Sequence, residues 1–279
     1  MTMKKNLITS LFFVLFFAAC GPDQVEPTPE PTLVPYAIYR LDNADYDTSF
    51  PKNTTKYTYT SEGLVSTIIF RSNDPNVFDR NSKIEYDQKG ELASVFSIDN
   101  ERLRTDFMYQ DGKVRLALSN FSSSGFLFDG ANRIQVRIDS SGPRGGSLRA
   151  DNLLYSYTDS GITIRRIIHY LMDNVKGEAQ PNYLFFDKTY RNPFEKVKSD
   201  LQYVPFYIIG LTDHLRYRSS VGFLGKYKMV NKSGREDISL LNTVVKVKQG
   251  TNYPELIKVN YLYFGVPSEY YLYILYREL

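Results

Sequence analysis

Three features of the sequence predict an all-β fold, a long antiparallel meander curled into a closed or nearly closed barrel. The chain carries 23 Tyr and 18 Phe in 279 residues, and aromatic residues favour strands over helices. A strand–polar turn–strand unit returns five times between Lys56 and Tyr170. Within these units, apolar and polar side chains alternate with period two, the mark of a sheet with one buried face.

The recurrences read KYTYTSEGLVSTIIF (Lys56–Phe70), KIEYDQKGELASVFSI (Lys83–Ile98), DFMYQDGKVRLALS (Asp106–Ser119), FLFDGANRIQVRID (Phe126–Asp139) and LYSYTDSGITIRRIIHY (Leu154–Tyr170). In the second unit Asp87 stands at the turn entrance and Gly90 where a positive φ closes a hairpin. In the fourth, Gly130 and Asn132 are candidates for that role, since Asn tolerates positive φ better than most residues. After the turns, Ile134, Val136 and Ile138 oppose Arg133, Gln135 and Arg137, and Val114, Leu116 and Leu118 oppose Lys113, Arg115 and Ala117. Burying an aliphatic side chain contributes about 1.5–3 kcal/mol, and ordering each backbone residue costs about 1–2 kcal/mol. A lone hairpin therefore fails, many must pair side by side, and closure removes the exposed edges. The irregular spacing of the units argues against a propeller.

One segment departs from the pattern, YRNPFEKVKSDLQYVPFYIIGL (Tyr190–Leu211). Asn192 suits an N-cap, Pro193 the first helical position, and Glu195 the capping-box spacing. These signals predict a short helical insert near 193–203 that covers one mouth of the sheet, limited by Pro205. Strands are expected again near Gly225–Val230 and Thr243–Lys248, and then through ELIKVNYLYF and YYLYILYREL to the end of the chain.

The front of the chain has a different composition. MTMKKNLITSLFFVLFFAAC places Lys4 and Lys5 before an apolar run and small residues before Cys20. That is the layout of a signal peptide, residues 1–19, and its apolar run is shorter than the roughly 20 residues a spanning helix needs. GPDQVEPTPEPTLVP follows, so residues 20–35 read as an extended Pro-rich tether and residues 36–279 as one β domain. Cys20 is the only cysteine; the remainder of the chain has no disulfide, no Cys-based metal site and no Cys nucleophile. Without residues 1–19 the chain keeps 32 Lys and Arg against 31 Asp and Glu, a net charge of +1. That balance gives no electrostatic case for nucleic acid.

The residues Phe17-Ala18-Ala19-Cys20 resemble the lipobox of bacterial lipoproteins. The resemblance implies cleavage before Cys20 and lipid on its thiol and new amino group, enough acyl chains for stable anchoring. Gly21, in place of the Asp that favours inner-membrane retention in such families, implies the outer membrane, with the periplasmic or extracellular face left open. The Tyr-x-Tyr-(polar)-Gly-(aliphatic) units resemble those of YD-repeat proteins. Together with FFDKTYRNPF (Phe185–Phe194) and NYPELIKVNYLYF (Asn252–Phe264), they resemble more closely a domain-of-unknown-function family of Bacteroidota lipoproteins with a porin-like fold. That likeness spans most of Tyr36–Leu279. It implies an antiparallel barrel with a helical insert around Asn192-Pro193-Phe194, and supplies no catalytic residue, cofactor or ligand.

Motifs of enzymatic chemistry are sparse. The histidines are His169 and His214, and no G-x-S-x-G accompanies them. Asn43, Asp45 and Asp47 in LDNADYD offer three oxygens of a calcium loop without its Gly at position six or Glu at position twelve. SSGPRGGSLR (Ser140–Arg149) lacks the G-K-[ST] ending of a phosphate cradle and reads as a hairpin loop. The expected function is that of a non-enzymatic lipoprotein of the cell envelope, anchored through Cys20, that binds an apolar or amphipathic small molecule or a saccharide inside the barrel. The alternative is a structural or interaction component of a cell-surface assembly. An enzyme using Asp45, Asp47 or His214 is the third reading, and a membrane-spanning barrel is the rival architecture.

Overall fold

A computed structural model of the chain describes residues 32–42, 48, 51–100, 103–119, 122–141, 149–170, 175–178, 181–197, 223–231 and 233–279. Its strands are β1 (Leu33–Leu41), β2 (Asn53–Tyr59), β3 (Val65–Ser72), β4 (Arg80–Tyr86), β5 (Leu92–Ser97), β6 (Arg104–Gln110), β7 (Lys113–Ser119), β8 (Ser122–Phe128) and β9 (Ile134–Ser141). They continue as β10 (Arg149–Tyr157), β11 (Gly161–Tyr170), β12 (Val175–Glu178), β13 (Asn182–Asp187), β14 (Phe223–Val230), β15 (Glu236–Val247), β16 (Pro254–Tyr263) and β17 (Val266–Glu278). Each strand pairs antiparallel with its neighbour in sequence except at β12, and β1 pairs with both β2 and β17. The ring therefore closes. It has 16 strand positions, because β12 and β13 share one position: β12 pairs with Ile167–Tyr170 of β11 and β13 with Gly161–Ile164. Strand β1 begins at Leu33, so the last residues of the Pro-rich stretch already belong to the wall.

Three of the recurring turns have one chemistry. In 60–64, 87–91 and 129–133 the first residue donates its N–H to the carbonyl of the fifth, at 2.8, 2.9 and 2.9 Å. The side-chain oxygen of Thr60, Asp87 or Asp129 accepts from the third and fifth amides, and the fourth residue, Gly63, Gly90 or Asn132, has φ of 82°, 77° or 61°. Asn132, rather than Gly130, takes the left-handed position in its turn. In the fifth unit Gly161 is needed for a different reason, since a Cβ there would lie 2.4 Å from the Leu184 carbonyl oxygen.

A β-bulge follows each of four turns at the same place. Tyr59 pairs with Val65 and Thr58 with Thr67, which leaves Ser66 unpaired; Ala93, Arg115 and Gln135 are the extra residues in the next three hairpins. An extra residue reverses the alternation beyond it. This corrects the faces assigned from sequence. Val114 and Ala117 are buried in the barrel core while Leu116 and Leu118 lie outside. Likewise Ile134 packs against the core, Val136 and Ile138 point outward, and Arg137 points inward over the ring of Phe126.

The inner aromatic residue before each turn explains the repeat. The Tyr59 hydroxyl donates to the Pro35 carbonyl (2.5 Å), Tyr86 to Val65 (2.8 Å), Tyr157 to Ile134 (2.8 Å) and Tyr276 to Pro254 (2.7 Å). Tyr109 accepts from the Leu92 amide at 3.0 Å. Each such ring crosses to the first residues of the strand before its own and ties a hairpin to its predecessor. Burial pushes the Tyr157 phenol up to about 12 and also raises Tyr59 and Tyr276 well above the ordinary tyrosine range, so these hydroxyls stay protonated in this setting. The eighth strand has Phe128 at the equivalent position, with no hydroxyl to reach Val114.

Among the described residues there is no helix. The expected insert begins as consecutive turns at 193–196, with Glu195 N–H bonded to Asn192 O (3.0 Å) and Val197 N–H to Phe194 O (3.1 Å); residues 198–203 lie outside the described residues. Asn192 caps the Phe194 amide as expected (2.8 Å). Glu195 does not close a capping box, because its Oε1 is held by Arg191 Nε (2.6 Å) and the Tyr253 hydroxyl (2.8 Å). Phe194 and Val197 instead enter the core, Phe194 edge-on to Tyr57 with centroids 5.5 Å apart. The turn thus packs inside the tight-turn end of the barrel.

Replacing Tyr86 by Phe should destabilise the chain by about 1–2 kcal/mol, because the buried Val65 carbonyl loses its extra donor. The change Phe128→Tyr should cost nothing or stabilise. Urea unfolding of both variants checks this, and a Tyr86→Phe chain as stable as the parent would remove the clasp from the account.

Candidate functional site

Two stretches of the inner wall are polar, both in the half of the barrel away from the tight turns. One lies on β8–β11. Arg137 Nε and Ser124 Oγ both bond Asp139 Oδ1 at 2.6 Å, and Asp151, which faces Asp139 across the β9–β10 pair, is bonded by Arg166. Each carboxylate has its own guanidinium, so this wall is internally neutralised.

The second stretch lines a cavity of about 350 Å³ on the concave side of β15, β16, β17, β1, β2 and β3, which are consecutive in the ring. Its volume is at the small end of ligand pockets, which run about 300–1,000 Å³. Arg40 and Asn53 are cross-strand partners on β1 and β2 and both line it, together with Thr55, Ser268, Tyr261 and Tyr270. Ile38, Phe70 and Leu272 form apolar parts of the wall. The period-two pattern puts Ile38 and Arg40 inside, and the pairing of Tyr261 with Ser268 and with Leu240 brings β15–β17 to the same level.

The electrostatics of this cavity are those of an unfinished site. The Arg40 guanidinium lies 4.1 Å from the centroid of the Tyr270 ring, a cation–π arrangement. Its Nε is buried without a hydrogen-bond partner, and so is Oδ1 of Asn53, a residue only 5% exposed. A buried polar group left unpaired costs about 1–3 kcal/mol, and native structures hold few of them. Asn242, the inner residue beyond Leu240 on β15, also has an unpaired Oδ1 while its Nδ2 donates to the Leu224 carbonyl (2.8 Å). Tyr270 is pushed up to about 12, chiefly by burial and partly by the neighbouring Tyr261 phenol, against the opposing pull of Arg40. The cavity can therefore donate from a fixed cation and protonated phenols and accept at an amide oxygen.

Few of the residues singled out in the sequence enter this cavity. Cys20, Asn43, Asp45, Asp47 and His214 lie outside the described residues, as does the centre of the Gly-rich loop, 142–148. His169 stands on the outer face of β11, opposite Ala150 and Lys176. Sequence reasoning missed Arg40 and Asn53. Their one signal was a cation in the otherwise apolar and aromatic run LVPYAIYRL, on the side of the strand that the core claims.

Asn53→Leu should leave the ligand-free chain as stable as the parent or raise its Tm, since an apolar side chain of similar size removes an unpaired carbonyl from the interior. A loss above about 1 kcal/mol in urea unfolding would show that Asn53 serves the fold and not a ligand.

No family model matches the sequence, and no curated protein matches it, so neither the lipoprotein-family nor the YD-repeat resemblance has that support. Among solved structures, the chain is similar to a porin-like protein from Bacteroides uniformis ATCC 8492, with a TM-score of 0.49 and 10% identity, over 90% of this chain and 98% of that one. It is also similar to a porin-like protein from Bacteroides vulgatus ATCC 8482, with a TM-score of 0.42 and 10% identity, over 88% of this chain and 99% of that one.

Proposed function

We propose that the protein is a lipid-anchored, non-enzymatic barrel of the outer membrane that binds a small amphipathic ligand bearing an anionic group in the cavity beside Arg40. The observation that carries this reading is the pairing of two unsatisfied buried groups, Arg40 Nε and Asn53 Oδ1, on one cavity wall. A ligand that shifts the packing around these two atoms, accepting from Arg40 and donating to Asn53, removes both penalties at once. Aromatic and aliphatic side chains around them receive its apolar part.

Anchoring rests on the lipobox-like residues before Cys20 and on the outer surface. The outer face of β2–β6 carries Lys56, Arg71, Lys83, Glu85, Arg104 and Asp106. Basic residues on the lipid face of a spanning barrel cost about 2–4 kcal/mol each at the midplane, so this arc favours water. The attachment to membrane is then the lipid on Cys20 and not the wall.

With residues 1–19 replaced by a leader that is cleaved without lipidation, the Cys20→Ser chain should partition into the aqueous fraction after carbonate washing of membranes, where the parent stays in the pellet. Retention of the variant in the bilayer would favour a spanning barrel instead.

The same Cys20→Ser chain should bind 8-anilinonaphthalene-1-sulfonate, an amphipathic anion. An Arg40→Met change should weaken that binding about tenfold or more, as loss of a charge-assisted hydrogen bond of about 1.5–3 kcal/mol requires. The outer-face change Lys56→Met should leave it unchanged. Equal affinity in all three chains, read by fluorescence titration, would remove the cavity from the function.

A further inference from the structure

The cavity is reached by a file of aromatic rings. Tyr261, on its wall, stacks with Tyr263 at a centroid distance of 6.1 Å and an interplanar angle of 20°. Tyr263 meets Phe264 edge-to-face at 4.8 Å. Tyr263 and Phe264 occupy the end of β16 and the turn into β17, at the barrel rim opposite the turns at 60–64, 87–91 and 129–133, and are 51% and 60% exposed. The file thus runs from solvent at Phe264 to the cavity, where Tyr270 lies under the Arg40 guanidinium.

The rim ring is held at a cost. Phe264 has φ of 46° and Gly265 of 87°, the left-handed pair of a two-residue hairpin turn, where Asn-Gly is the favourable choice and a bulky side chain is strained. Strained positions of this kind cluster at functional sites, and here the residue that bears the strain extends the aromatic file into solvent.

Resting on the ligand-binding reading above, we propose that the file is a set of stacking subsites for an acidic oligosaccharide, whose terminal charged ring enters the cavity. Three features select that chemistry. Flat aromatic faces accept the C–H faces of successive sugar rings without demanding a particular substituent. Thr55, Ser268 and Asn53 line the cavity together with Tyr261 and Tyr270, which suits a ligand end rich in hydroxyls. The Arg40 guanidinium at the inner end requires an anion, and its fork geometry matches a carboxylate or sulfate. An acidic sugar chain meets all three demands along one line; a fatty acid has no rings for the exposed file, and a neutral glycan leaves Arg40 unpaired.

The test is isothermal titration of the same Cys20→Ser chain with tetragalacturonate, an alginate tetramer, a heparin tetrasaccharide and neutral maltotetraose. At least one acidic oligomer should bind, at least tenfold tighter than maltotetraose. The pair of changes Tyr263→Ala and Phe264→Asn should weaken that oligomer at least tenfold and its monomeric unit less than twofold, because the monomer fills only the cavity. Arg40→Met should abolish both. Phe264→Asn alone should not lower the Tm, since Asn suits the left-handed position, and this separates lost binding from lost folding. Binding of none of the acidic oligomers, equal binding of maltotetraose, or affinity indifferent to the ring changes would overturn the proposal. If the sulfonate probe still binds in an Arg40-dependent way under those results, the cavity reading stands and only the saccharide assignment falls; if the probe fails too, both fall.

Discussion

The seam between β1 and β17 is the contact on which the rest of the molecule depends. Eight residues of β1 pair with β17 in antiparallel register, from Leu33 with Glu278 to Leu41 with Tyr271. Without it the sheet would end in two rows of unpaired amides and carbonyls. The seam also makes the cavity, since Arg40 and Ile38 stand on one side of it and Tyr270 and Leu272 on the other. Closure and cavity geometry are therefore one property: a change that loosened the seam would separate the guanidinium from the ring beneath it.

The two faces of the wall do not keep one polarity around the ring. On β2–β5, apart from the cavity residues Asn53 and Thr55 and the buried Ser82, the inside is apolar, with Tyr57, Ile68, Phe70, Ile84 and Val95 buried, while Lys56, Lys83 and Glu85 face out. On β6–β9 the order reverses in part. Met108, Leu118, Leu127 and Ile138 are exposed outside, and Ser124, Arg137 and Asp139 bond one another inside.

Much of the fold was legible in the sequence. Asp87 with Gly90, and Asp129 with Asn132, announce turns whose geometry the structure reproduces, and the repeated aromatic residue before each turn marks the end of a strand. The bulges were not legible. Ser66, Ala93, Arg115 and Gln135 share no side-chain chemistry, since an extra residue is a property of the pairing and not of the residue inserted. Period two therefore assigned Val136 and Ile138 to the wrong face. Around Asn192 the described residues form turns at 193–196 in place of the first helical turn, and Glu195 is held by its neighbour Arg191 and by Tyr253, which lies far off in the sequence. The cavity was less legible still, because Arg40, Asn53, Tyr261 and Tyr270 meet only once the ring has closed.

The span of the seam governs how the chain can assemble. Most pairings join strands adjacent in sequence and form through short loops, whereas Leu33 must find Glu278 across nearly the whole domain. Loop-closure entropy rises only as about (3/2)RT ln n, so the distance itself adds little thermodynamic penalty. It acts on kinetics, since long-range strand pairing is slow and leaves edges bare in the interval. The hydroxyl bonds from Tyr59, Tyr86, Tyr109 and Tyr157 each join near neighbours, and can therefore curl the growing sheet before its two ends meet. The ribbon is bent by its own phenols toward the closure that completes it.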